Sequence, residues 1–279
     1  MSTTQLPWID RLRRAFARAP APLNLALQGG GAHGAFTWGV LDALLAESRL
    51  SFDGISGTSA GAMNAVILTE GWRQGGREGA RDALDRFWSA LGKTPGMGML
   101  VQGSGDSMGI SATGKFLMQW AGMFTPSQLN PMDLNPLRDL LNKHIDFKAL
   151  RKDSPFKLFI AATQANSGKV RLFRETELTT DVLLASACLP KLHRAVTIDD
   201  EPYWDGGYSA NPAVYPLFYE CRARDILLVL LSPLRYESTP QSGEQIAERA
   251  MEFAFSAHFM REMRMFVNAT RFASGSWPA

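Results

Sequence analysis

Gly57-Thr58-Ser59-Ala60-Gly61 follows a strand candidate, residues 51–56, and opens an Ala/Met/Val/Ile-rich helical stretch that reaches about Thr69. A strand that turns within a few residues into a helix forces the corner residue into strained backbone, so its neighbours have to be small. Gly57, Ala60 and Gly61 meet that need. The same architecture stands one step earlier in the chain. Residues 23–28 form an apolar run, Gly29-Gly30-Gly31-Ala32-His33-Gly34 a glycine turn, and residues 35–45 carry Val40, Leu41, Leu44 and Leu45 at helical spacing. Two successive strand, turn and helix units predict an α/β fold with a mostly parallel central sheet covered on both faces, a three-layer α/β/α arrangement. Residues 156–163 and 226–231 read as further buried strands, with 169–173 and 196–198 as shorter ones.

The remaining sequence bounds the possibilities. At 279 residues, 46% apolar and 20% charged, the chain has ordinary globular composition. Twenty-nine basic against 27 acidic residues leave a net charge of +2, without the concentrated basic stripe of a nucleic-acid binder. No apolar run approaches the roughly 18 residues of a spanning helix. Residues 1–22 lack the apolar core of an export signal and place Leu6, Ile9, Leu12 and Phe16 at helical spacing among Arg11, Arg13, Arg14 and Arg18. That is a basic amphipathic segment, suited either to docking on the domain or to an anionic membrane surface. The expected organisation is this segment, residues 1–22, followed by one domain over residues 23–279. Residues 92–127 hold eight glycines and five of the twelve methionines and read as a lid-like insertion. Near the C-terminus Ser242 and Gln245 form a capping box. Ile246, Ala250, Phe253, Ala257, Met260 and Val267 then share one face of a helix running to about Thr270, widened by Phe255, Phe259 and Phe266. Core packing is the first expectation for that face, with an oligomer contact or a lipid-facing surface as alternatives.

Ser59 at such a corner is a candidate nucleophile, because the following helix aims free N–H groups and its positive dipole end at the place where an oxyanion forms. The glycine turn fits G-x-G-x-x-G, yet a dinucleotide site expects an acid at the end of the second strand, and Ser56 to Ser59 stand there instead. Consecutive glycines offering backbone N–H groups beside the serine are the stronger reading. A nucleophilic serine needs a base. The four histidines are His33 in the glycine turn, His144 in a polar helical segment, His193 after Cys188-Leu189-Pro190, and His258 inside the final helix, where a packing role is expected. Only two strands precede Ser59, which disfavours the usual Ser, acid, His hydrolase fold. Asp205, in Tyr203-Trp204-Asp205-Gly206-Gly207-Tyr208, is the alternative base, although Asp-Gly after a short strand also suits a plain turn.

These segments together resemble the patatin-like phospholipase family: Gly29 to Gly34 with Ala35-Phe36, Gly57 to Gly61 with Ala62-Met63-Asn64, and Asp205-Gly206-Gly207, in that order. The resemblance runs from about residue 23 to 231, through Ala185-Ser186-Ala187-Cys188-Leu189-Pro190 and Asn211-Pro212-Ala213. It implies an acyl-ester hydrolase with a Ser59–Asp205 dyad and no histidine, with Gly30 and Gly31 as oxyanion-hole glycines and the Ala60 N–H as a further donor from the elbow geometry. Phospholipid or another lipid ester is the implied substrate, with peripheral membrane contact, no cofactor, no metal and no nucleic acid. His33 stands where many members carry arginine or lysine. A cytoplasmic protein is expected, at times peripheral to the membrane. An acyltransferase using the same acyl-enzyme, and a non-catalytic lipid- or nucleotide-binding module, are the alternative functions.

Overall fold

The computed structural model describes residues 22–93, 101–102, 109–110, 126–130, 132 and 135–273. The basic segment expected before residue 22 and most of the insertion expected over 92–127 lie outside the described residues. Of the insertion, a short antiparallel pair is described, β3 (Val101–Gln102) with β4 (Gly109–Ile110).

Strand β1 (Leu23–Leu27) leads through the glycine turn into helix α1 (Gly34–Ala46). Strand β2 (Phe52–Thr58) leads through Ser59 into α2 (Ala60–Gly92). Gly75 and Gly76 leave helical backbone, with φ of −152° and 62°, and α2 folds back there into two packed halves that meet at Gly71 and Gly79. Helices α3 (Pro136–His144) and α4 (Phe147–Lys152) precede β5 (Lys157–Gln164) and β6 (Val170–Arg174). Then come α5 (Thr180–Ser186), the short strands β7 (Val196–Ile198) and β8 (Glu201–Asp205), α6 (Tyr215–Glu220), β9 (Asp225–Val229) and the long α7 (Gly243–Ala273).

Side chains alternate across a strand, and here the alternation sorts them into two apolar layers. Leu23, Leu25 and Leu27 of β1, with Leu158, Ile160 and Ala162 of β5, join α1 to α5 in the larger core. Ala26 and Phe159, pointing the other way, meet Val214, Leu217 and Phe259 beneath α6 and α7. The result is the expected three-layer α/β/α fold. Its sheet runs β7-β8-β5-β2-β1-β9, with β6 on β5. Strands β9, β1, β2 and β5 are mutually parallel, whereas β6, β7 and β8 add antiparallel pairings.

The register at β5 decides where the site lies. Residues 159–161 of β5 pair with both β2 and β6, and residues 162 and 163 with both β8 and β6. Because a strand has two edges, β2 and β8 share the one opposite β6 and approach each other end to end. Strand β2 finishes with Thr58 opposite Ala161, and β8 finishes with Asp205 opposite Ala162. Ser59 and Asp205, 146 positions apart in the chain, therefore leave the sheet at one gap.

The C-terminal helix departs from its first expectation. Its capping box forms, with the Gln245 N–H donating to Ser242 Oγ (3.2 Å) and the Ser242 N–H to Gln245 Oε1 (3.3 Å). Core packing, however, holds for the side carrying Phe259, which is buried, and not for Ile246, Phe253, Met260 or Val267, all of which are exposed. The histidine expected to pack within this helix, His258, is exposed as well.

Candidate active site

Ser59 has φ 53° and ψ −121°, strained values for a residue with a side chain and those expected of a sharp strand-to-helix corner. Close packing holds it there. A Cβ on Gly57 would stand 2.5 Å from the Gly61 carbonyl oxygen, and one on Gly61 would collide with the Leu27 carbonyl of β1. The glycine turn lies directly against this corner, since a Cβ on Gly29 would come within 2.8 Å of Ser59 Cβ, and Gly34 abuts Ala60 in the same way. Asn64 then ties three elements together. Its Nδ2 donates to the Gly34 carbonyl and its Oδ1 accepts from Trp88 Nε1, both at 2.9 Å.

Three sets of backbone N–H groups surround the serine. The Ser59 N–H donates to the buried Ser186 Oγ at the end of α5 (2.9 Å), which removes it from the donors open to a ligand. Among the described residues no acceptor takes the N–H of Gly30, Gly31 or Ala60. Ala60 is in the first turn of α2, where helix N–H groups have no intrahelical partner. Gly30 and Gly31 are exposed beside the corner, and the φ of 58° at Gly31 belongs to the left-handed region where glycine is favoured. The His33 side chain turns back onto this loop, its Nδ1 donating to the Gly30 carbonyl (3.2 Å).

Asp205 is 2% exposed and fixed by its own backbone as well as its carboxylate. Its N–H donates to the Cys188 carbonyl, and its carbonyl accepts from Thr163 Oγ1, both at 2.8 Å. The carboxylate accepts the Gly207 N–H at 2.7 Å. Burial pushes this carboxyl up from an ordinary 3.8 to about 6, while the Gly207 N–H and the Ser59 hydroxyl, both donating to the charged form, pull it back. A group that titrates near 6 is ionised at neutral pH and still basic enough to take a proton. Gly206 lies against the Ala161 backbone, and Phe255 of α7 lies against Gly207. Tyr208 packs on the same ring, with centroids 4.9 Å apart.

The sequence-predicted residues thus converge, and of the histidines His33 stands beside them, in the glycine turn. Among the described residues no hydrogen bond joins a histidine to Ser59. His144, at the end of α3, stands edge-on to Phe87 of α2, 6.0 Å between centroids, and its pKa is lowered by burial first and then by the neighbouring Lys143 and Arg86.

Sequence reasoning missed the residues that hold the site in register. The loop after the Asp205 turn reaches both other motifs. Its Ala210 carbonyl accepts from Thr58 Oγ1 at 2.8 Å, and the buried Asn211 grips Gly29 through Oδ1, which accepts the Gly29 N–H (2.7 Å), and Nδ2, which donates to the Gly29 carbonyl (3.4 Å). One short loop therefore links base, corner and glycine turn. Asn211→Ala is expected to strand the buried Gly29 N–H and loosen that turn, lowering kcat roughly 10- to 100-fold with KM little changed. Steady-state kinetics on a water-soluble ester, alongside a melting curve, check this; an unchanged kcat would remove the clamp from the site.

The α/β/α fold, with a strained serine corner after its second strand and a buried aspartate beside it, is accompanied by a match to a class of lipid acyl hydrolases. The chain belongs to the patatin-like phospholipase family, whose domain matches residues 25–218. No curated protein matches the chain by sequence. Lipids are the substrates of that family. Among the described residues no helix is long and apolar enough to cross a membrane.

Proposed function

We propose that the protein is a lipid acyl-ester hydrolase of the phospholipase A or lysophospholipase type, working through a Ser59–Asp205 dyad. The observation that carries this reading is the end-to-end meeting of β2 and β8, which sets the Ser59 hydroxyl against a buried carboxylate raised to about 6. In the first half-reaction Ser59 Oγ attacks the ester carbonyl carbon as Asp205 takes its proton. The tetrahedral oxyanion is held by the N–H groups of Gly30, Gly31 and Ala60. The carbon–oxygen bond to the alcohol then breaks, and the alcohol leaves with the proton from Asp205. A water molecule next attacks the acyl-serine, again giving its proton to Asp205, and the fatty acid departs as Ser59 regains its hydrogen. A carboxylate is a modest base for a hydroxyl, so positioning and oxyanion stabilisation supply most of the acceleration.

The same reading makes residues 23–279 one catalytic unit. Strand β9 lies beyond the matched residues yet pairs along β1, and α7 packs its Phe255 beside the Asp205 turn. Fluorophosphonate labelling with peptide mapping tests the proposal without a guess about the lipid. The expected label is on Ser59. A folded protein that takes no label, with phospholipid micelles or without, would overturn it.

A further inference from the structure

Four of the seven large apolar residues exposed on helix α7 stand in one line, with Met251, Met265 and Phe272 off it. Ile246, Phe253, Met260 and Val267 recur every seven residues, are 52%, 54%, 42% and 50% exposed, and have the exposed Ala250 and Ala257 between them. Large side chains in a contiguous exposed row mark an interaction surface. Charge on the same helix is divided between its two sides. At about 100° per residue, Glu244, Glu248, Glu252 and Glu262 all fall on the side of Phe255 and Phe259, which faces the protein. Arg261, Arg264 and Arg271 fall on the side of the apolar row, as does Arg249, which is mostly covered, pairs with Glu252 at 3.5 Å and stacks on Tyr236. Glu262 is engaged in capping α6, accepting the N–H groups of Val214 and Tyr215. The outer face is thus apolar and cationic, Glu252 alone of the helix's acids reaching it, to pair with Arg249.

That charge division selects the partner. A second copy of the chain laid on this face would set a net cationic surface against itself, with Glu237, beside Ile246 and Phe253, the one acid of the adjoining segment after β9. An anionic bilayer supplies both an apolar interior for the row and negative headgroups for the arginines. The face also adjoins the candidate site. A groove of about 290 Å³ opens between the row and the segment after β9, lined by Leu230, Leu234, Phe253 and Met260, with Gln28 at its inner wall. Gln28 immediately precedes the glycine turn, and its Oε1 accepts the N–H groups of Leu231 and Ser232, fixing that segment to β1.

We propose that the outer face of α7, with Ile246, Phe253, Met260 and Val267 flanked by Arg261 and Arg264, docks this protein on anionic lipid bilayers. The proposal rests on the lipid-hydrolase reading and names the surface that presents the substrate. Its test is co-sedimentation of the full chain with phosphatidylcholine vesicles and with vesicles in which about one-third of the lipid is phosphatidylglycerol. The two variants are Arg261→Glu/Arg264→Glu and Ile246→Glu/Val267→Glu. Wild-type protein is expected to partition at least about tenfold better onto the anionic vesicles, an advantage that shrinks with added salt. Each variant is expected to lose at least about tenfold of that partition, while its hydrolysis of a short water-soluble ester stays at the wild-type rate and so reports an intact fold. Equal binding to both vesicles, no binding, or partition untouched by the variants would overturn the proposal. So would a wild-type dimer, seen by light scattering, that the same variants dissociate. Vesicle binding without Ser59 labelling would remove the hydrolase reading and leave the docking face; labelling without vesicle binding would do the reverse.

Discussion

Ser59→Ala is expected to lower kcat/KM on any accepted ester roughly ten-thousand- to million-fold and to abolish fluorophosphonate labelling, while the fold stays intact. The reason lies in what the substitution leaves alone. Alanine at φ 53° carries the same Cβ and the same backbone strain as serine, and its N–H still donates to Ser186 Oγ. The close packing of Gly57 and Gly61 involves backbone atoms that the change does not touch. What disappears is the oxygen that forms the acyl bond, so the free donors of the glycine turn and Ala60 are left to stabilise attack by water alone. The companion variant Ser59→Gly should be inactive too, yet slightly more stable, because relief of this kind of strain contributes on the order of 1 kcal/mol. Kinetics, labelling and melting curves on the three proteins check the set. A Ser59→Ala protein that turns over ester at the wild-type rate would end the acyl-enzyme mechanism.

The parts of the fold and site legible in the sequence are those fixed by local rules. Strand, turn and helix alternate in composition around Gly29 and around Ser59, so both turns and the layer architecture follow from periodicity. Gly75 and Gly76 mark the break in α2 for the same reason, and Ser242 with Gln245 marks the start of α7. The supports of the site are not local. Ser186 accepts an N–H from a residue 127 positions away, Asn211 grips one 182 positions away, and Thr58 reaches 152 positions to Ala210. A polar side chain that satisfies a distant backbone group leaves no period to read; the one cue was that Ser186 and Asn211 both stood in segments carrying the family resemblance. The outer face of α7 fails to read for another reason. A row of apolar residues at helical spacing states that the helix has a sticky side, and it is silent on what covers that side. Likewise Asp-Gly after a short strand reads as a hairpin turn, because nothing in five residues reveals that β8 will share an edge of β5 with β2.

Asp205→Asn is expected to separate activity from stability, which is the sharpest consequence of burying a carboxylate at this gap. The amide can still accept the Gly207 N–H through Oδ1, and its Nδ2 can donate to Ser59 Oγ, so the geometry survives. It cannot take the Ser59 proton, and a loss on the order of ten-thousand-fold in kcat follows. Stability should move the other way. The folded carboxyl titrates near 6 and the unfolded one near 3.8, so the folded state holds its proton more tightly. Below pH 3.8 both states are protonated and burial of the neutral acid carries no ionisation penalty. Between 3.8 and 6 the unfolded chain releases the proton first, and folding stability falls as pH rises. Above 6 the whole difference, about two pKa units or on the order of 3 kcal/mol, counts against the native wild-type protein. The asparagine side chain carries no such penalty, so the inactive variant should melt on the order of 5 °C higher at pH 7 to 8, with the gap closing towards pH 4. Wild-type kcat/KM should rise with pH through an apparent pKa near 6, as the carboxylate ionises to become the base. An Asp205→Asn protein that keeps its activity would move the base elsewhere. One that loses activity without any pH-dependent gain in melting temperature would show that Asp205 is not the buried, raised carboxylate on which the dyad depends.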